Sequence, residues 1–151
     1  AVALAEHNAG SVEAFVAKMN TKAKELGLEN TRYSNPSGLD SSLAYSSAKD
    51  LALLSSRLLE YPEIKEIVQL KNSDVFSNNG YIHTLESTNE LLGELGVKGL
   101  KTGRTIAAGE CLITLAETPE GKEVLTIVLG SENRFGDTRS LLEWLYNAYS
   151  W

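Results

Sequence analysis

The chain has 151 residues, 42% of them hydrophobic, which suits one compact domain around a single core. A formal charge of -6 and a pI near 5.0, with no cluster of Lys and Arg, argue against nucleic acid or an anionic membrane as partner. One cysteine, Cys111, forbids an intrachain disulfide, and two distant histidines, His7 and His83, leave no Cys/His zinc set, so no metal or other cofactor is expected.

Ala1 to His7 reads as helix interior with no N-cap residue ahead of it, so further sequence is expected upstream. No basic-then-apolar leader and no run of about 18 apolar residues occurs, so neither a signal peptide nor a spanning helix is expected. Val12, Phe15, Val16, Met19, Ala23 and Leu26 fall on one helical stripe. Ser11 is placed to cap that helix, and Gly27 to end it, with Leu28 folding back on the last turn. Glu29 to Tyr45 reads as a long ordered loop, its turn chemistry concentrated in Asn35-Pro36-Ser37-Gly38. A second helix is predicted from Ser46 or Ser47 to about Glu60, with Leu51, Leu54 and Leu58 inward and Ser47 to Asp50 resembling a capping box. Pro62 opens a short helix through Val68.

Asn79-Gly80, between Val75-Phe76 and Tyr81-Ile82, predicts a small hairpin with a type I′ turn. Three strands follow, Gly99 to Thr105, Glu110 to Glu117 and Glu123 to Leu129, and their short links predict an antiparallel meander. Asp137 is placed to cap a final helix through about Tyr149, its apolar face being Leu141, Leu142, Leu145, Ala148 and Tyr149. The terminal aromatics Trp144, Tyr146, Tyr149 and Trp151 are expected to pack on the sheet. Cys111 is expected to face the core as a small hydrophobe. The fold class is therefore α+β: a helical part over about 1–72, a hairpin at about 74–85, and a sheet with its covering helix over about 97–151.

Two features imitate a serine-enzyme constellation. Ser46-Ser47-Ala48-Lys49 matches Ser-x-x-Lys, and Ser77-Asn78-Asn79 and Ser87-Thr88-Asn89 both match Ser-x-Asn. The likeness of Lys101-Thr102-Gly103 to the Lys-Thr-Gly element of penicillin-recognising serine enzymes implies a large helical region between Ser-x-Asn and that element, whereas only eleven residues separate Asn89 from Lys101; Ser46-Ser47 is better read as a helix cap.

The stretch Leu100-Lys101-Thr102-Gly103-Arg104-Thr105 contains the Lys-Thr-Gly triplet of penicillin-recognising serine enzymes. With Ala1 to His7, Phe15 to Asn20, Ala23 to Leu28, Asn35-Pro36-Ser37-Gly38-Leu39-Asp40 and Ala107-Ala108-Gly109-Glu110-Cys111-Leu112 in the same order, nearly the whole chain resembles the C-terminal part of a serine-type D-alanyl-D-alanine carboxypeptidase, a low-molecular-weight penicillin-binding protein. The resemblance implies one partial transpeptidase-like domain of the penicillin-binding protein/serine β-lactamase fold. It implies an acyl-enzyme mechanism on peptidoglycan stem peptides ending in D-Ala-D-Ala, with β-lactams as inhibitors and the bacterial cell envelope as location.

By the same resemblance, Lys101, Thr102 and Gly103 take the substrate carboxylate, and the backbone N–H of Arg104 is one oxyanion donor. The nucleophilic Ser, its base Lys and the Ser-x-Asn element are expected upstream of Ala1, leaving no catalytic residue in this chain and an expectation of inactivity alone. Strand 124–129 is expected to leave an open edge, suited to complementation by an N-terminal segment or to self-association. The alternative is a non-catalytic module binding a cell-wall peptide or a partner chain.

Overall fold

The computed structural model describes residues 1–150 and orders them as helices α1 (Val2–Ala9), α2 (Val12–Glu25), α3 (Ala48–Leu58) and α4 (Pro62–Val68), strands β1 (Asn72–Phe76), β2 (Ile82–Glu86), β3 (Val97–Thr105), β4 (Gly109–Glu117) and β5 (Glu123–Ser131), then α5 (Arg134–Ala148). This is the expected α+β succession, with β3-β4-β5 an antiparallel meander and β1-β2 a separate two-stranded hairpin.

The capping chemistry of α2 forms as the sequence indicates. Ser11 Oγ accepts from Ala14 N at 3.1 Å, and the Leu28 and Gly27 amides return to the Ala23 and Lys24 carbonyls, which buries Leu28. The loop after it is held at three points. The Asn20 side chain both donates to Tyr33 O at 2.8 Å and accepts from Tyr33 N at 2.9 Å, doing the work of a neighbouring strand. Asn35 Oδ1 gathers the amides of Ser37, Gly38 and Leu39. Asp50 Oδ2 accepts from Asn30 N and from Thr31 Oγ1, each at 2.7 Å.

That last contact corrects the expected capping box: Ser47 Oγ does accept from Asp50 N at 3.2 Å, but the Asp50 carboxylate turns to Asn30 and Thr31. Leu58 is exposed rather than inward, and Leu59 is half-buried in its stead. Ser46 precedes α3 and bonds Thr31 Oγ1 at 2.9 Å, so it and Lys49 do not share a helical face.

The hairpin turn also differs from expectation. Gly80 N bonds Ser77 O, and Ser77 N bonds Tyr81 O, each at 2.9 Å, while Gly80 takes φ 80°. Among the described residues Leu95 is the sole non-glycine with positive φ, so Asn79 does not adopt the left-handed conformation that a type I′ turn needs. A three-residue loop with its glycine left-handed results, because one glycine satisfies it.

On one face of the meander, Leu112, Ala116 and Val124 pack with Leu91, Leu92, Val97 and Leu142 of α5 into the core. Leu91, Leu112 and Leu142 are fully enclosed. α5 begins at Arg134 because Asn133 caps it, Oδ1 accepting from Gly136 N at 3.0 Å; Asp137 instead accepts from Ser131 Oγ. Its inward residues are Phe135, Thr138, Leu142, Leu145 and Tyr146, whereas Ala148 and Tyr149 lie outward. Trp144 and Tyr149 are exposed and meet edge to face at 5.7 Å, so among the described terminal aromatics it is Tyr146 that packs on the core; Trp151 lies outside the described residues.

Candidate functional site

The triplet Lys101-Thr102-Gly103 sits in the middle of β3, which is an edge strand of the meander. Its entry is tightly constrained. Gly96 takes φ 73°, and a Cβ there would lie 2.1 Å from the Glu117 carbonyl oxygen, so only glycine lets the turn close against the end of β4. Beside it Leu95 is held at φ 47°, and Tyr146 Oη donates to the Leu95 carbonyl at 2.7 Å. Burial raises the Tyr146 phenol above its ordinary pKa, which keeps it a donor. A register shift between Val97 and Gly99 then carries β3 past α4, where Gly99 abuts Val68.

Register assigns the faces. Lys101 opposes Ile113 and Gly103 opposes Cys111, whereas Thr102 opposes Leu112 and shares the face that carries the core. Lys101 and Gly103 are exposed and Thr102 is half-buried; the Lys101 ammonium folds onto the Thr102 carbonyl. A Cβ on Gly103 would meet nothing nearer than Cys111 Cβ at 4.0 Å. Its smallness therefore answers no packing need inside the chain. The strand borders an open cavity of about 400 Å³ that Ser37, Leu39, Leu51, Ile113 and Leu129 also line.

Two side chains from outside the strand, Arg134 and Thr88, reach the triplet, and Glu110 braces Arg134 and the neighbouring Arg104. Arg134, at the start of α5, donates through Nη1 to Gly103 O at 3.0 Å, and its guanidinium lies 4.7 Å over the Phe135 ring. Glu110 accepts from Arg134 N at 3.3 Å and approaches Arg104 Nε at 3.6 Å, fixing the end of the strand pair. Thr88 Oγ1 lies 2.6 Å from Thr102 Oγ1.

Of the residues singled out in the sequence, Lys101, Thr102, Gly103 and Arg104 thus share one strand with an accessible face. His7 and His83 are exposed and apart from it. Cys111 is half-buried opposite Gly103 rather than in the core, with Sγ 3.6 Å from Ala108 O. Ser87 and Asn89 build a turn: Asn89 N bonds Ser87 Oγ, and Leu91 N bonds Asn89 Oδ1, each at 3.2 Å. Sequence reasoning missed Arg134 and Thr88. Arg134 lies in no motif and Thr88 is the variable middle residue of Ser87-Thr88-Asn89, so it is the packing of α5 and of the turn before β3 that brings them to the triplet.

The chain spans under two fifths of the length of two curated relatives that it matches. It is 37% identical over 152 residues to D-alanyl-D-alanine carboxypeptidase DacF of Bacillus subtilis, covering 98% of this chain and 39% of that protein. It is 36% identical over 148 residues to D-alanyl-D-alanine carboxypeptidase DacC of Escherichia coli, covering 95% and 36%. Among solved structures, penicillin-binding protein D2 of Listeria monocytogenes in its cefotaxime-bound form superimposes with a TM-score of 0.74 and 44% identity, over 85% of this chain and 53% of that one. The Streptomyces K15 DD-transpeptidase does so with a TM-score of 0.80 and 30% identity, over 91% and 55%. A family model described as D-alanyl-D-alanine carboxypeptidase matches residues 1–133, and with the shared fold and the edge-strand Lys-Thr-Gly this chain belongs to that family.

Proposed function

We propose that the chain supplies the carboxylate-binding half of a serine-type peptidoglycan carboxypeptidase, and that residues 1–151 form one partial domain of it. What carries the reading is the exposed face of β3, where Lys101 and Gly103 border an open cavity. The Lys101 ammonium attracts the terminal carboxylate of a D-Ala-D-Ala stem peptide, and the Thr102 hydroxyl donates to it. The bare backbone at Gly103 lets the peptide lie against the strand, and the Arg104 N–H serves as one oxyanion donor. Arg134 adds a second positive charge behind the same strand segment.

The serine that attacks the peptide carbonyl, and the lysine that takes its proton, come on this reading from the part of the relatives' length that this chain does not span. The same part pairs with β5, which among the described residues has a strand neighbour on one side only. The whole enzyme acts at the bacterial cell envelope and is acylated there by β-lactams.

The test is covalent labelling by a fluorescent penicillin. The 151-residue chain is expected to stay unlabelled and the full-length protein that carries it to label, with Lys101→Ala slowing the reaction. Labelling of the 151-residue chain itself would place a nucleophile inside it and overturn the assignment.

A further inference from the structure

We propose that Thr88 is a positioning residue of this site, which fixes the direction in which the Thr102 hydroxyl offers its proton. The inference rests on the carboxylate-binding role of Thr102 proposed above and deepens it.

A lone threonine hydroxyl on a strand has one proton, two lone pairs and a free rotor. Thr102 is not in that situation, because Thr88 Oγ1 stands 2.6 Å from its oxygen, a short hydroxyl–hydroxyl contact in which either atom can donate. A carboxylate removes the ambiguity. It offers acceptor oxygens only, so Thr102 must donate to it, and the lone pair of Thr102 is then satisfied by the proton of Thr88. The result is a directed chain, Thr88 O–H to Thr102 O–H to carboxylate, in which each bond polarises the next.

The geometry around Thr88 suits that task. It belongs to the link between β2 and β3, and that link is fastened on both sides. Ser87 N bonds the Lys71 carbonyl at 2.8 Å, and the Ser87 and Asn89 side chains close the turn by accepting from Asn89 N and Leu91 N. Asn89 is buried, and Leu91 and Leu92 beyond it are core residues. The Thr88 backbone is therefore anchored to the hairpin at one end and to the core at the other. A rigidly mounted hydroxyl orients its partner at little entropic cost. The Ser87-Thr88-Asn89 triplet, which in sequence imitates a catalytic Ser-x-Asn, thus has another use: its outer residues build the turn and its middle residue meets the strand.

A positioning role makes a prediction that a packing role does not. The hydrogen bond from Thr102 is charge-assisted only when the ligand is an anion, so removing Thr88's hydroxyl must weaken a carboxylate ligand more than its neutral carboxamide. The experiment titrates the isotopically labelled chain with an N-acylated D-alanyl-D-alanine peptide and with its C-terminal amide, followed through the Thr102 and Gly103 amide resonances. Thr88→Val is expected to weaken the acid about tenfold and the amide less than about twofold. Thr88→Ser is expected to restore the acid to within about twofold of the parent chain.

If Thr88→Val binds the acid like the parent chain while Thr102→Val loses it, the role of Thr88 is overturned and the carboxylate site stands. If the parent chain binds acid and amide equally, or binds neither, the carboxylate site itself fails and this inference with it. Equal losses of both ligands in Thr88→Val would make Thr88 a packing residue and overturn the inference. Should Thr88→Val lose its dispersed spectrum, Thr88→Ala carries the same comparison.

Discussion

Arg134, the first residue of α5, donates through Nη1 to the carbonyl of Gly103 at 3.0 Å, so the helix that covers the sheet also holds the middle of the edge strand. The guanidinium is half-buried and lies against Phe135, where a lysine could not reproduce its planar fork. Arg134→Lys is therefore expected to behave like a loss. Binding of the D-alanyl-D-alanine acid should weaken about tenfold or more, the scale of one hydrogen bond to a charged group. Exchange of the backbone amides around Gly103 should quicken as well. A titration monitored at the Gly103 amide reads both.

Gly103 gives the complementary case, in which folding and binding separate. Because a Cβ there approaches nothing closer than 4.0 Å, Gly103→Ala is expected to fold with the melting temperature of the parent chain within a few degrees. The new methyl projects from the exposed face beside the cavity, where a peptide must lie against the strand, so ligand affinity should fall roughly tenfold or more. Thermal unfolding and peptide titration on the same sample check the pair. An unchanged affinity would show that the ligand does not approach over Gly103.

Much of the fold was legible because its signals are local. The Ser11 cap and the Gly27–Leu28 closure of α2 each depend on a few consecutive residues and form as read. The errors arise where a local preference meets a tertiary competitor. Asp50 has the spacing of a capping-box partner, yet Asn30 and Thr31 take its carboxylate. Asp137 resembles an N-cap, yet Asn133 stands one turn earlier and wins. Lys101 to Arg104 were readable as a motif. Thr88 and Arg134 were not, since their meaning arises from contacts across 14 and 31 residues of sequence that no short pattern encodes.

The Asp50 carboxylate predicts an acid-sensitive fold. It is buried, and its pKa lies below the ordinary carboxylate value of 3.8, first because Thr31 Oγ1 donates to it, and then through Asn30 N and Ser47. A carboxyl whose folded pKa is depressed contributes stability that is fully present above its unfolded pKa and is lost as pH falls through the folded value. Melting temperature should thus hold from neutral pH down to about pH 5 and decline below about pH 4. Asp50→Asn keeps the shape but cannot ionise, so it should be less stable at neutral pH and should flatten the acid limb. A parallel decline in both proteins would remove Asp50 as its cause.

Tyr146 tests whether the strand's entry depends on α5. Leu95 sits at φ 47°, a conformation that costs a side-chain-bearing residue of order 1–2 kcal/mol and persists only if neighbours hold it. Tyr146 Oη supplies such a hold at the Leu95 carbonyl, 2.7 Å away, and Gly96 next to it is wedged against Glu117 O. Tyr146→Phe keeps the ring in the core and removes that donor alone. It is expected to cost about 1 kcal/mol in denaturant unfolding. The Val97 and Glu117 amides, which close the turn onto the Glu94 and Gly96 carbonyls at 2.8 and 2.9 Å, should lose exchange protection, while Leu112 and Leu142, enclosed in the core, keep theirs. Because β3 carries the triplet a few residues on, the loosened entry should also weaken peptide binding about two- to threefold, less than Arg134→Lys does, since Tyr146 touches the strand's start and Arg134 touches the site. A loss of binding in Tyr146→Phe as large as in Arg134→Lys would mean that β3 moves as one rigid unit from Leu95 to Gly103.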